Sequence, residues 1–161
     1  MSAKEFAGGY SRGIVLIVDD NPDDIELMRL AFEKTKAPCA LMSVPDGIEA
    51  IKYFSGEGKY ADRRIFPMPL LVLLDLNMPR LNGFEVLAWI QKHTSSTFPL
   101  VITLSYSHVE SDIRRAYELG TSAYIAKPVD LDGSVSLVRL LVNLERIAAV
   151  RPRRIRHSKS A

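Results

Sequence analysis

The sequence predicts an α/β protein: a parallel five-stranded sheet with helices on both faces. Five short apolar runs recur along the chain, "IVLIV" (14–18), "ALMSV" (40–44), "LLVLL" (70–74), "LVITL" (100–104) and "SAYIA" (122–126). They are continuous rather than alternating, which marks strands covered on both sides. Segments with helical spacing separate and follow them, giving five β-α repeats joined by right-handed crossovers.

The first strand runs into "DDNPDD" (19–24). Residues 22–35 place Ile25, Met28 and Phe32 at helical spacing. Asn21 is the expected N-cap and Pro22 the first helical residue. Asp23 and Asp24 then fall in the first turn, where the helix dipole favours negative charge. On this reading replacing Asp24 mostly costs stability, and only Asp19 and Asp20 bear strongly on phosphorylation. The second strand leads to a helix over 46–55 with Ile48, Ile51 and Phe54 inward and Asp46 as N-cap. The connection 55–69 has the length of a functional or mobile loop, or of a solvated insertion.

The third strand is the most apolar, hence central. It is followed by the turn-rich "LNMPRLNG" (76–83) and a helix over 83–93 with Phe84, Val86, Leu87 and Ile90. After the fourth strand, residues 110–119 carry Ile113, Ala116, Tyr117 and Leu119, with Gly120 as C-cap. The fifth strand leads to the longest helix, 132–149, with Val135, Val138, Leu141, Leu144 and Ile147 on one stripe. Leu137, Leu140 and Val142 lie outside that stripe. They form either a second apolar face for a symmetric contact or the margin of a wide core stripe.

A chain of 161 residues fits one domain, expected over 13–150, with an N-terminal extension (1–12) and a basic, disordered tail (151–161). The tail holds Arg151, Arg153, Arg154, Arg156 and Lys159 without an acid, so with a net charge of +2 the remaining chain is acidic. The lone Cys39 excludes an intrachain disulfide and a cysteine-cluster metal site. No apolar run spans a membrane and the N-terminus lacks a secretory signal, so the expected location is cytoplasmic. His93, His108 and His157 lack metal-ligand spacing and read as surface residues.

In open parallel sheets, sites form beyond the carboxyl ends of the strands. Asp19 and Asp20 follow the first strand, Asp75 the third, Ser105 the fourth and Lys127 the fifth. Three converging carboxylates call for a hard cation such as Mg²⁺. A lysine opposite pairs with a phosphoryl group, and a serine hydroxyl donates to one. The set suits phosphoryl transfer to an aspartate, with Asp75 as nucleophile and Asp19 and Asp20 as metal ligands. A backbone carbonyl near Asn77 completes the coordination. Asn77 stands where haloacid-dehalogenase-like phosphatases carry a second acid, which argues against that class.

The motifs "LIVDDN", "LLDLNMPRLNG", "ITLS" and "AYIAKP", in this order and spacing, resemble those of response-regulator receiver domains of two-component and phosphorelay systems. The resemblance covers about residues 13–150. It implies a flavodoxin-like (βα)5 fold with strand order 2-1-3-4-5. It assigns Asp75 as phosphoacceptor, Asp20 as direct Mg²⁺ ligand supported by Asp19, and Asn77 as the residue whose backbone carbonyl binds Mg²⁺. It makes Ser105 the switch hydroxyl, Lys127 the phosphate-pairing lysine and Tyr124 the switch aromatic. It also implies a frequently cis Lys127–Pro128 bond.

In that family the residue after the switch hydroxyl is usually small; here it is Tyr106. The ring either shields an aspartyl-phosphate from water or simply faces solvent. The start "NPDDIELMRLAF" and the long loop before the third strand also resemble single-domain regulators paired with phytochrome-type photoreceptor kinases. The implied partners are a sensor histidine kinase or phosphotransfer protein, and a second copy through the face of the fourth helix, fifth strand and fifth helix. The expected function is that of a stand-alone response regulator, not a metabolic enzyme: its only chemistry is its own phosphorylation and dephosphorylation. Two other readings compete. One is a receiver-like adaptor that signals without phosphorylation, against which the intact acids and lysine count. The other is a nucleic-acid or membrane binder acting through the tail, for which no aromatic interleaving or folded module speaks.

Overall fold

The computed structural model describes residues 13–93 and 99–148. The N-terminal extension, the tail and His157 lie outside these residues. The elements alternate in chain order: β1 (Ile14–Val18), α1 (Pro22–Thr35), β2 (Ala40–Val44), α2 (Gly47–Ser55), a 3-10 turn (Gly58–Tyr60), β3 (Leu71–Asp75), α3 (Gly83–His93), β4 (Leu100–Ser105), α4 (Glu110–Glu118), β5 (Ala123–Ala126) and α5 (Leu131–Ala148). All strand pairs are parallel, in the order β2-β1-β3-β4-β5. This is the flavodoxin-like order.

The continuous apolar strands divide residue by residue between two cores, because successive side chains point to opposite faces. Leu16, Val18, Val72 and Leu74 pack with α2, α3 and Ala116 of α4. Val15, Ile17, Leu71, Leu73, Ile102 and Leu104 pack with α1 and α5. Thr103 is polar yet fully buried. Its hydroxyl donates to Thr121 Oγ1 at 3.0 Å, and Thr121 in turn donates to the carbonyls of Val101 and Ala123.

The expected helix starts hold. Asn21 Oδ1 accepts from the Asp23 N–H at 3.0 Å, with Pro22 first in α1. Asp46 Oδ1 accepts from the Glu49 N–H at 2.8 Å. Its other oxygen pairs with Arg80, which joins α2 to the loop after β3. α4 ends at Glu118, and Gly120 takes the left-handed conformation (φ 96°) just beyond it. Gly83 is needed where α3 closes against the end of β3: a Cβ there would lie 2.3 Å from the Asp75 carbonyl oxygen.

Two expectations need correction, and the choice left open for α5 is decided. The buried face of α2 is Ala50, Tyr53 and Phe54, while Ile48 is exposed, since the helix turns its aromatic side to the sheet. In α5, Leu137 is buried and Val142 packs on the core, so only Leu140 of the three faces outward. The stripe is wide rather than doubled, because α5 sits against both the sheet and α1. Described peptide bonds are all trans, Lys127–Pro128 included.

The 55–69 connection is not a solvated insertion. Tyr60 is buried against Tyr53 and Phe66, and Arg63 donates to the carbonyls of Tyr53, Phe54 and Phe66. Among the described residues no helix is long and apolar enough to cross a membrane.

Glu49 ties this connection to α2. Its carboxylate accepts from Lys59 Nζ at 2.9 Å, from the Tyr60 hydroxyl at 2.8 Å and from Lys52 Nζ at 3.0 Å. These bonds, Lys59 first, pull its pKa from 4.5 to about 2. A carboxyl depressed in the folded state stabilises above its unfolded value and loses that contribution as pH falls through its folded value. The denaturation midpoint of Glu49→Gln should therefore lie below wild type at neutral pH, and the gap should close as pH falls from about 4.5 toward about 2.

Candidate functional site

The carboxyl ends of β1, β3, β4 and β5 deliver Asp19, Asp75, Ser105 and Lys127 to one edge of the sheet, all four buried. Each is held by the backbone that follows its strand. The Asp19 N–H donates to the Val44 carbonyl at 3.2 Å, and Asp19 Oδ1 accepts from the Asn21 N–H at 2.9 Å. Asp75 Oδ1 accepts from the Asn77 N–H at 3.1 Å. The Lys127 N–H donates to the Ser105 carbonyl at 3.0 Å. Asp20 is the exposed member, on the solvent side of the cluster.

Lys127 is the hub. It retains only 7% exposure, and its Nζ lies 2.7 Å from Asp24 Oδ2, 2.8 Å from Asp19 Oδ2 and 3.0 Å from Asp75 Oδ2. Burial alone pulls its pKa down, but Asp19 and Asp24 outweigh that and leave it well above the ordinary lysine value. Asp19 is pushed up by burial, against the opposing pull of Lys127 and the Asn21 N–H.

Asp19, Asp20 and Asp75 bring carboxylate oxygens within 4.8 Å of one another. Asp19 Oδ2 is buried with the Lys127 ammonium, at 2.8 Å, as its one close partner. An all-oxygen donor set with an unsatisfied buried lone pair fits a hard divalent cation. Asn77 is exposed beside Asp75, tied to it through its N–H.

Asp24 lies in the first turn of α1 as expected, and it also belongs to this site. It is the third residue of α1, and the first helical turn brings its carboxylate back over the end of β1. Besides Lys127, its Oδ2 accepts from Asn21 Nδ2 at 3.0 Å and its Oδ1 from the Tyr106 hydroxyl at 3.0 Å. Tyr106 is half-exposed but tethered. Its ring centroid lies 5.1 Å from Lys127 Nζ, a cation–π distance, and its hydroxyl pKa is raised by burial and then by the Asp24 bond. In sequence, the signal for Asp24 was its place one helical turn beyond Asp20.

Ser105 Oγ accepts from the Ser107 N–H at 3.1 Å. The Ser107 carbonyl accepts from the Tyr124 hydroxyl at 2.9 Å, and Ser107 Oγ donates to Asp112 in the first turn of α4 at 2.8 Å. One residue thus links Ser105, Tyr124 and α4. The Tyr124 ring is half-buried against the core. His93 and His108 are exposed and outside the site.

The model of the response regulator receiver domain matches residues 15–139, which include every residue of this cluster. The response regulator Rcp1 of Synechocystis is 31% identical over 126 residues, 78% of this chain and 84% of that protein. The structure of the phosphorylated cyanobacterial phytochrome response regulator RcpA superposes with a TM-score of 0.77 at 34% identity, over 89% of this chain and all of that one. The Mn²⁺-bound form of Rcp1 gives 0.69 at 28% identity, over 88% and 97%. With most of its length matched in both sequence and fold, the chain belongs to the response regulator receiver domains of two-component signalling.

Proposed function

We propose that this receiver, spanning about residues 13–150, accepts a phosphoryl group on Asp75 from a sensor histidine kinase or phosphotransfer protein, in a reaction that needs Mg²⁺. The observation that carries the reading is the Asp75 carboxylate facing both a buried ammonium at 3.0 Å and two further carboxylates suited to a cation. An Asp75 oxygen forms the new bond to phosphorus as the bond to the donor's nitrogen breaks, and the electron pair leaves with the imidazole. Asp19, Asp20, Asp75 and the backbone carbonyl of Asn77 would hold Mg²⁺, which neutralises charge on the phosphoryl oxygens. Lys127 pairs with one of those oxygens, and Ser105 donates to another.

Ser105 reaches the phosphoryl group by releasing the Ser107 N–H. Because Ser107 also holds Tyr124 and Asp112, that release alters the α4–β5–α5 face. On this reading the altered face docks the output partner or a second copy. Tyr117 is exposed there, its hydroxyl accepting from the Tyr124 N–H at 3.2 Å. Kinship with phytochrome response regulators supports a phytochrome-type kinase as the phosphodonor, in the cytoplasm.

Incubation with a small phosphodonor and Mg²⁺ should add one phosphoryl group to the wild type by intact mass and none to Asp75→Asn; labelling of the variant would move the acceptor elsewhere. Lys127→Met leaves the buried acids uncompensated and should destabilise the protein by about 3–5 kcal/mol in chelator. Added Mg²⁺ should recover part of that loss, and an equal loss in both conditions would dissociate Mg²⁺ from this cluster. Tyr106→Ala, which uncovers the ring-shielded side of Lys127, should shorten the aspartyl-phosphate lifetime; an unchanged or longer lifetime would show that the ring excludes no water.

A further inference from the structure

The Lys127 ammonium has three protons and three carboxylate oxygens within 3.0 Å, from Asp19, Asp24 and Asp75. Two of these partners are committed elsewhere once the site works. Asp19 and Asp75 belong to the group of acids that converges on a cation, and phosphorylation turns the Asp75 carboxylate into an uncharged acyl oxygen carrying the phosphoryl group. Asp24 is not in that group. Its contact with the ammonium competes with neither the cation nor the phosphoryl group.

Asp24 is also the best-held of the three. Asn21, the N-cap of α1, donates to one of its oxygens and the Tyr106 hydroxyl to the other, at 3.0 Å each. The two donors come from either side of the site, one from α1 and one from the β4–α4 loop. The Tyr106 ring covers the ammonium from the solvent side. A lysine chain is flexible and its ammonium acts as a point charge, so its aim depends on what holds it.

We propose that Asp24, steadied by Tyr106, is a positioning residue that keeps the Lys127 ammonium aimed at a phosphoryl group on Asp75. This rests on the phosphoacceptor reading above. It makes Tyr106 more than a water shield: its hydroxyl acts on the lysine through Asp24.

Charge alone predicts the opposite result. Removing an acid from an already acidic site relieves repulsion and should strengthen binding of an anion. A weaker anion site after removal of Asp24 therefore reports positioning.

The test uses beryllofluoride, a phosphoryl mimic, titrated into the full chain at saturating Mg²⁺. Asp24→Asn should bind it roughly tenfold more weakly than wild type, the scale of one charge-assisted hydrogen bond. Tyr106→Phe, which keeps the ring and loses the hydroxyl, should weaken it by about threefold. Asp23→Asn removes the same charge from an exposed neighbour and should leave binding unchanged. Asp24→Glu should restore part of the affinity. With ¹⁵N-lysine labelling, the Lys127 Nζ signal of the bound state should be sharp in wild type and exchange-broadened in Asp24→Asn. Equal or tighter binding by Asp24→Asn overturns the proposal, as does an equal loss in Asp23→Asn. Should Asp24→Asn fail to fold, unaltered affinity in Tyr106→Phe overturns it. A wild type that neither binds beryllofluoride nor is labelled on Asp75 overturns the phosphoacceptor reading instead.

Discussion

Lys127 carries a charge into a place where charge is expensive, and the carboxyl edge of the sheet is arranged around that expense. An ammonium removed from water must meet negative charge at close range or lose its proton. Here it meets three carboxylates from three places beyond its own strand: Asp19 just after β1, Asp24 in the first turn of α1, and Asp75 at the end of β3. The dependence is mutual, since those acids are themselves buried and repel one another. Parallel strands ending level with each other, and crossovers that return every strand in the same direction, satisfy both demands.

The same constraint explains why the site can be sensitive to a small chemical change. A cluster balanced between several acids and one base redistributes when a cation or a phosphoryl group enters, because each oxygen has alternatives. The redistribution has a short path outward. Ser105 contacts Ser107 through the backbone N–H, Tyr124 contacts Ser107 through the carbonyl, and α4 contacts its hydroxyl. One residue, Ser107, thus joins the serine of the site to a strand aromatic and to a helix start.

Asp24 and Tyr106 together shape one side of the site. Tyr106 places an aromatic ring beside the lysine, and Asp24 adds a carboxylate within reach of it. They touch each other, so they act as a pair. The pair narrows one side of the site and leaves Asp20 as its solvent-facing acid.

Much of this was legible in the amino-acid order because much of it is local. Continuous apolar runs located all five strands to within a residue, since burial on both faces leaves no room for polar alternation. The caps at Asn21 and Asp46 were legible because a cap bonds within three residues of itself. The converging acids and lysine followed from one rule, that strands of a parallel sheet end on the same side. What the sequence could not express were contacts between distant residues. Asp24 read as a helix-start charge because its partners, Lys127 and Tyr106, meet it only after the sheet closes. Leu137 and Val142 left two readings open, a second face or a wide stripe, because the width of an α5 stripe depends on how closely α1 lies beside it. The 55–69 connection read as open because nothing local reveals that Tyr60 and Arg63 fold back onto α2. Hydrophobic periodicity and capping determined the elements and their order. Only packing, which brings remote charges within 3 Å, decided that Asp24 joins Asp19 and Asp75 around the lysine.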